Sequence, residues 1–459
     1  MINLFRRSNA NERRSEEHPV AGDLIFAFDL GSSTVRLTAA EVDENGVVCI
    51  RGYREQVSQG IKGGSVIDIN ALSMTLSELT REFEGAYSVH IERCVVGVPG
   101  TFISSSNQFG SATVKGSSVT TADQEAAIEN ARSGANFNDS EYDRLHTVLQ
   151  NYITENSNEI INPIGQFAKR LNVEVHVVAL KRSHAMNVSN VFYSLRPELR
   201  SPSFIYTGIA AADAVLTESQ KELGVCLIDI GAGTTNVAVY DNRKLMLTFG
   251  LDRGGEGITQ QISKTFGLPR NIAEELKKEM GVATTMALTE EQRNQIINVN
   301  IGDTEHPQPI PVPYMDLSIC INKHLSDIFR LVTDRIQRIA LEKKLTLNLS
   351  AGFVITGGVA NTNGIETLFS EQDASPYNTG ALANRVHVGK PRAVEIKDLS
   401  GAQLDLETMT KPQQAVTIGM IRQYWREIRS QFQDDEDDAE PTGMVGKLVG
   451  LKKWFNKEW

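Results

Sequence analysis

The sequence predicts an α/β protein built from two related halves, and three observations carry that expectation. An apolar strand runs into Asp29-Leu30-Gly31-Ser32-Ser33-Thr34, and 200 positions later another runs into Asp229-Ile230-Gly231-Ala232-Gly233-Thr234. A strand–turn–strand pattern follows both motifs, which is self-similarity on the scale of a domain. A third apolar strand, Phe353-Val354-Ile355, turns at Thr356-Gly357-Gly358. With 459 residues, 41% hydrophobic and 22% charged, the chain has the length for several packed units and the apolar content for a core. A disordered, collagen-like or disulfide-stapled chain is excluded.

The elements follow in order. Leu24–Phe28 is a short apolar run and predicts a buried strand. Val35–Val42 and Val47–Tyr53 are β-rich runs joined by Asp43-Glu44-Asn45-Gly46, a hairpin signal. Ile69–Phe83 has helical periodicity, Cys94–Val98 is a strand stopped by Pro99-Gly100, and Gln108–Lys115 is a further strand. Asp123–Arg132 predicts a helix capped by Thr120 or Thr121. Val173–Leu180 is a strand and His184–Ser194 a helix. In the second half Val225–Ile228, Asn236–Tyr240, Lys244–Phe249 and Gly352–Ile355 are strands. Gly255–Phe266, Asn271–Met280, Met315–Lys344 and Pro412–Arg429 are helices, and the Gly357-Gly358 turn is expected to lead into another. Six of the seven residues at 434–440 are acidic, which predicts a solvated, extended linker.

A formal charge of -11 argues against nonspecific nucleic-acid binding, so no nucleic-acid partner is expected. Cys49, Cys94, Cys226 and Cys320 stand in apolar settings without a C-x-x-C pair and are expected to be reduced core residues of a cytosolic protein. The histidines show no ligand spacing, and His176 is expected as a strand residue rather than a metal ligand. No apolar run reaches the roughly 18 residues of a bilayer span. Met1–Val20 is polar, carries four arginines and lacks a signal-peptide core, so a flexible arm over 1–21 is expected rather than secretion.

Small residues in a turn between strands let backbone N–H groups approach a phosphate closely. The hydroxyls of Ser32, Ser33, Thr34, Thr234 and Thr235 add donors. Asp29 and Asp229, each at a strand end, stand where a hydrated Mg²⁺ would sit. Either turn alone is also what a plain hairpin looks like, and the Gly-Gly turn alone is also a tight strand–helix turn. The three together point to a polyphosphate gripped from two sides, with base and ribose lying on the Gly-Gly backbone.

This order resembles the actin-like ATPase superfamily. Asp29–Thr34, with Gly31, Ser32, Ser33 and Thr34, resembles its first phosphate loop. Asp229–Thr235, with Gly231, Ala232, Gly233, Thr234 and Thr235, resembles the second. Ile355–Asn361, with Gly357, Gly358, Val359 and Asn361, resembles the adenosine motif, and Ile205–Asp213 and Ala415–Gly419 resemble the two connecting helices. The resemblance implies two α/β lobes, each with a five-stranded sheet, closing on ATP and Mg²⁺. Within the superfamily the chain resembles the FtsA family of bacterial cell-division proteins, through Gly60–Asp68, Asn162-Pro163-Ile164-Gly165, Val215–Gly233 and an amphipathic ending. After Gly254-Gly255, the run Ala273-Glu274-Glu275-Leu276-Lys277 resembles the family's A-E-x-x-K on the helix covering the adenosine. Glu274 and Lys277 share a helix face, as a plain surface ion pair also would. Asn236 stands where relatives often carry Asp, and only Asp29 and Asp229 are placed to act on a metal-bound water. ATP is therefore expected as a conformational ligand with at most weak hydrolysis.

The resemblance implies a first lobe over 22–204 with an inserted subdomain at about 92–178. A second lobe spans 205–380 with its outer subdomain at about 254–345. The chain then returns to the first lobe over 381–430, followed by the acidic linker at 431–442 and a membrane-targeting helix at 443–459. In that helix Met444, Leu448, Leu451, Phe455 and Trp459 share one face at 100° per residue, Trp454 flanks it, and Lys447 and Lys452 border it. Aromatics with lysine borders suit an anionic membrane surface, although docking on the protein's own core has the same pattern. The family implies a peripheral protein on the cytoplasmic face of the cell membrane at the division site. It implies polymerisation with itself, capture of the FtsZ C-terminal tail and contacts with later division proteins. The FtsZ site is expected on the Met315–Lys344 helix, with Lys323, His324 and Ile328 as contacts. A sugar-kinase-type phosphotransferase and a pilus or cell-shape assembly protein are the alternatives.

Overall fold

The structure, a computed structural model, describes residues 24–155, 157–199, 201–301, 308–372, 385–397 and 404–437. The expected N-terminal arm, the end of the acidic linker and the amphipathic tail from Met444 to Trp459 lie outside them.

The first lobe opens with an antiparallel meander of β1 (Ile25–Leu30), β2 (Thr34–Val42) and β3 (Val48–Val57). Asp43 builds the β2–β3 turn: its Oδ1 accepts from the N–H of Asn45 at 2.9 Å and of Val47 at 2.8 Å. Helix α1 (Ile69–Tyr87), capped by Asp68, lays Leu72, Leu76, Leu79 and Phe83 on the sheet, one face of a 3.6-residue period. Strand β4 (Val95–Val98) then lies parallel beside β1. It is a central strand, so the insertion begins after it rather than at about 92.

The inserted subdomain comprises β5 (Ile103–Thr113), α2 (Thr121–Gly134), β6 (Tyr142–Thr154), β7 (Ser157–Ile160) and β8 (Arg170–Lys181), with sheet order β5-β8-β6-β7. Thr120 caps α2 in a capping box with Asp123. Along β8 the residues alternate. Leu171, Val173, Val175 and Val177 enter the subdomain core, while Glu174 and His176 turn to the second lobe. Strands β6 and β7 have no counterpart in the sequence reading.

The chain re-enters the first lobe through α3 (Arg182–Leu195) and β9 (Ser203–Tyr206), and crosses to the second along α4 (Thr207–Val215). There β10 (Val225–Ile230), β11 (Thr235–Asp241) and β12 (Lys244–Leu251) repeat the opening meander. Helices α5 (Gly255–Phe266) and α6 (Arg270–Met280) follow, then β13 (Ile296–Asn300), β14 (Pro309–Pro313) and the long α7 (Tyr314–Lys343). Strand β15 (Gly352–Thr356), helix α8 (Ile365–Glu371) and strand β16 (Val386–Val388) complete the lobe. Strand β17 (Val394–Ile396) and α9 (Ala415–Asp437) bring the chain home.

The two main sheets run β3-β2-β1-β4-β9 and β12-β11-β10-β15-β16, the same order in both lobes. The first sheet has a sixth strand where five were expected, because β17 pairs parallel with the open edge of β3. Three further expectations are corrected. Strand β16 belongs to the second lobe, so the return to the first begins after it rather than at 381. Helix α9 continues to Asp437, through part of the acidic run expected to be extended. The Gly357-Gly358 turn leads into a single 3₁₀ turn over Gly358–Asn361, and α8 starts only at Ile365. All four cysteines are buried and free, and among the described residues no helix is long and apolar enough to cross a membrane.

One core runs from the first sheet through α4 and α9 to one face of the second sheet, where Val225 and Leu227 join it. Cys226, Ile228 and Ile230 point the other way, to α5, α7 and α8. Helices α4 and α9 cross at Gly419, where any Cβ would collide with the Ala210 carbonyl oxygen. The insert docks on the edge of β12: Ser105 Oγ donates to the Thr248 carbonyl and Asn107 Nδ2 to that of Met246, both at 3.0 Å. His176 donates from Nδ1 to Asn107 Oδ1 at 2.5 Å and meets Thr248 Oγ1 through Nε2 at 2.9 Å. His146 Nε2 accepts from the Tyr206 N–H at 3.0 Å.

Two predictions follow from this packing. Burial lowers His176 to about 3 and His146 and His184 to about 4, from 6.5. The unfolded chain therefore binds more protons in that interval, and stability held above pH 6.5 is lost as pH falls towards 4. Melting temperature should fall between pH 6.5 and 4, and His176→Gln should reduce the slope by up to about 1.4 kcal/mol per pH unit. Gly419→Ala should cost about 3 kcal/mol in chemical denaturation, since a backbone oxygen must move.

Candidate functional site

The two motif turns are equivalent in register. Asp29 pairs with Arg36 and Leu30 with Val35; Asp229 pairs with Asn236 and Ile230 with Thr235. Gly31, Ser32 and Ser33 therefore form the β1–β2 turn, closed by Thr34. Gly231, Ala232, Gly233 and Thr234 form the β10–β11 turn, closed by Thr235.

The turns meet face to face. A Cβ on Gly233 would collide with Ser32 Oγ and lie 3.0 Å from Gly63 Cα. Ser32 Oγ accepts from the Gly64 N–H at 3.1 Å. Gly63 and Gly64 have φ of +55° and +75°, which favours glycine, and they form the tip of a short hairpin over residues 61–66. A Cβ on Gly63 would lie 2.6 Å from Asp252 Oδ1, and one on Gly64 3.2 Å from Thr234 Cγ2. This hairpin is a third wall of the site. The sequence reading quoted it as a family segment without assigning it a role.

Behind the second turn, the Gly255 N–H donates to the Gly231 carbonyl at 2.9 Å and the Glu256 N–H to that of Ala232 at 2.7 Å. Thr235 Oγ1 donates to the Arg253 carbonyl at 2.8 Å. Gly254 has no space for a side chain, with the Gly231 and Ala232 oxygens 2.6 Å from any Cβ. The N-terminus of α5 is thus bonded to the turn through its first N–H groups and brings the positive end of a helix dipole to it. Lys277 Nζ donates to the Gly255 carbonyl at 3.2 Å, Thr259 Oγ1 at 2.9 Å and Glu274 Oε2 at 2.5 Å. Thr259 also donates to Glu274. Lys277 is a part-buried strut that holds the start of α5, not a plain surface pair. Burial works against Glu274's charge, yet Lys277 and these bonds hold its carboxyl below the ordinary value.

The third motif closes on the same place. Gly357, at φ +86°, would put a Cβ 2.5 Å from Asp229 Oδ1. Val359 packs against Gly255, whose Cβ would lie 2.7 Å from Val359 Cγ2. Gly358 is exposed, and Asn361, also exposed, donates to Gln413 Oε1 at 2.8 Å.

Asp229 is 4% exposed. Burial raises it to about 6, the Asn236 amide counteracts this, and the charge of Asp29 raises it further. The two carboxylates are thus close enough to feel each other. Burial raises Asp29 too, and Arg36 pulls it back through an ion pair at 3.1 Å. Asn236 Nδ2 donates to Asp229 Oδ2 at 3.0 Å, while its Oδ1 accepts from the Gly100 N–H of the first lobe at 2.8 Å. The sequence reading missed Arg36 and saw Asn236 only as a departure. Their common offset, seven residues after each motif aspartate, was a signal for both.

Of the contacts expected on α7, burial contradicts Ile328. Ile328 is 1% exposed and belongs to the second-lobe core. His324 Nε2 donates to the Gly254 carbonyl at 3.1 Å, and its ring fills the space above Gly257. Lys323 is the exposed member of the three.

Comparisons with known proteins agree with this geometry. The family model described as "Cell division protein FtsA" matches residues 226–419, and that of an "SHS2 domain inserted in FTSA" matches residues 100–179. A cell division protein FtsA from Neisseria meningitidis serogroup B is 32% identical over 438 residues, covering 95% of this chain and 98% of the relative. The FtsA of Escherichia coli K12 is 26% identical over 446 residues, covering 95% and 98%. Among solved structures, a "PilM-PilN type IV pilus biogenesis complex" superposes with a TM-score of 0.55 at 15% identity, over 87% of this chain and 98% of that one. The fold is thus the actin-like two-lobe ATPase fold, with an inserted SHS2 subdomain in the first lobe.

Asn236→Asp provides the test of the cleft floor. It replaces the amide donor with a second buried carboxylate and should cost about 3 kcal/mol at pH 8. The added acid titrates above its unfolded value, so the deficit should shrink as pH falls towards 5. Urea denaturation at the two pH values measures this.

Proposed function

This chain belongs to the FtsA family of bacterial cell-division proteins, and on that premise we propose that it is an ATP-binding scaffold that holds FtsZ filaments at the membrane. The observation that carries the nucleotide part is the pair of Asp-x-Gly turns, one from each lobe, meeting with only the small Ser32 side chain between them, set against Gly233. Backbone N–H groups of 31–34 and 232–234 bind the phosphates beside the positive end of the α5 dipole, and the Gly357–Asn361 turn receives the adenosine. Glu274 and Lys277 set the position of α5 in that cleft.

The donor set fits Mg²⁺ only through water and phosphate. Among the described residues no group of three or more His, Cys, Asp or Glu is placed to hold a metal ion, so Asp29 and Asp229 lack a third protein ligand. Mg²⁺ tolerates this because it keeps several waters and takes phosphate oxygens. When bound, the ion would offset the charge of both carboxylates and of the polyphosphate. Asp29 and Asp229 are the carboxylates assigned here to a metal-bound water, and nucleotide acts chiefly as a conformational ligand, with at most weak hydrolysis.

Residues 443–459 lie outside the described residues, and the membrane role assigned to them rests on their sequence pattern, which at 100° per residue suits a headgroup plane. Met444, Leu448, Leu451, Trp454, Phe455 and Trp459 enter the interface, and Lys447 and Lys452 border it. One such helix is a weak anchor, so self-assembly into filaments strengthens attachment through avidity. The FtsZ C-terminal tail binds the outer part of the second lobe, with Lys323 as a contact. The inserted subdomain serves the filament and later division proteins.

The test is co-sedimentation with anionic liposomes and FtsZ in the presence of ATP. The full chain should bring FtsZ down, and a chain ending at Asp437 should leave it in solution. Trp454→Glu should lower liposome binding at least tenfold, since a charge replaces an interfacial aromatic. A full chain that binds liposomes but leaves FtsZ in solution removes the tether role and keeps the membrane role.

A further inference from the structure

The two halves of the repeat differ at one place beside the cleft. In each half a cross-strand row starts at the motif aspartate. In the second lobe the row is Asp229–Asn236–Gly250. Asn236 is neutral and buried, and both ends of its amide are engaged, on Asp229 and on Gly100. In the first lobe the row is Asp29–Arg36–Glu55. Arg36 donates from Nη1 to Asp29 Oδ2 and from Nε to Glu55 Oε2, both at 3.1 Å. Its side chain and that of Asp29 are 17% and 15% exposed, so this pair is open where its counterpart is sealed. A guanidinium has five N–H donors, of which two are engaged here.

Charge decides what such a residue can do. Asp29, Asp229 and Glu55 set three carboxylates around the first turn and the cleft. Lys277 is already engaged by Glu274 under α5. A nucleoside triphosphate adds several more negative charges, of which the turn amides offset part. Arg36 is the cation standing next to the first phosphate turn, and its fork geometry matches phosphate oxygens as well as carboxylates.

We propose that Arg36 exchanges partners: it is the counter-ion of Asp29 when the cleft holds no nucleotide, and it binds the terminal phosphates when hydrated Mg²⁺ takes over Asp29. The inference rests on the nucleotide reading above and adds to it a residue that counts phosphates. Glu55 holds the guanidinium back and so sets how readily the exchange occurs.

Equilibrium titration of wild type, Arg36→Gln and Glu55→Gln with ATP and with ADP, in Mg²⁺, tests this, alongside melting curves without nucleotide. Arg36→Gln should lose about 30-fold in ATP affinity and distinctly less in ADP affinity, so that the ATP-to-ADP preference drops several-fold. Glu55→Gln should raise ATP affinity about threefold, and should have no such effect in the Arg36→Gln background. A merely structural Arg36 would lower the melting temperature and weaken both nucleotides equally; an unchanged ATP-to-ADP ratio therefore overturns the proposal. If Arg36→Gln does not fold, Glu55→Gln decides alone, and unchanged or weakened ATP binding counts against the exchange. A wild-type chain that binds neither nucleotide removes the nucleotide reading itself, and Arg36 falls with it.

Discussion

The architecture depends on backbone meeting backbone between the lobes, at points where a single methyl group would not fit. At the cleft floor a Cβ on Gly100 would lie 2.7 Å from Gly250 Cα. On the far side Gly419 of α9 rests on the Ala210 carbonyl of α4. Because no side chain lies at these contacts, the lobes come close enough for one turn to reach the other, and Gly233 sits on Ser32. Asn236 completes the floor by bonding Asp229 of its own lobe and Gly100 of the other. The core through α4 and α9 is continuous, so the helix from which the C-terminal segment departs is packed into the same core as the first sheet.

The repeat is symmetric in topology and asymmetric in charge. Both sheets have the same order of five strands, both turns lie in the same register, and both aspartates end the same strand. The residue opposite each aspartate breaks the symmetry, with a guanidinium in one lobe and an amide in the other. The amide is locked by two lobes at once, whereas the guanidinium is shared between two carboxylates of its own sheet and is partly exposed. One half of the site is therefore rigid and the other able to rearrange. This division suits a ligand whose chief effect is conformational.

The inserted subdomain solves a second problem, the open edge of β12. Exposed strand edges invite pairing with other chains. Here Ser105, Asn107 and Gln150 donate to carbonyls of that edge, and Lys244 pairs with Glu159 and Glu174. His176 is held neutral within this contact by burial and by its hydroxyl and amide partners. A polar contact of this density ties the insert to both lobes.

Much of this was readable from local pattern. Strand β10 announces itself by an apolar run, α5 by its periodicity between Gly255 and Phe266, and the two motif turns by small residues after an aspartate, because period and turn chemistry act over a few residues. Strands β6 and β7 were not readable, since their alternation is broken by bulges and by polar residues that face another lobe. Nor was the burial of Ile328, which depends on what α7 packs against, or the extension of α9 into an acidic run, where composition pointed to a linker. The sequence by itself determined the two-lobe α/β class, the repeat and the residues of the two Asp-x-Gly turns. Only the tertiary structure decided that Asn236 bonds Gly100, 136 positions away, that Arg36 stands between Asp29 and Glu55, and that Lys277 supports Gly255. The first partnership joins segments distant in the chain and the others join neighbouring elements through their packing, and no local period encodes which group of another element will fill the space beside a buried charge.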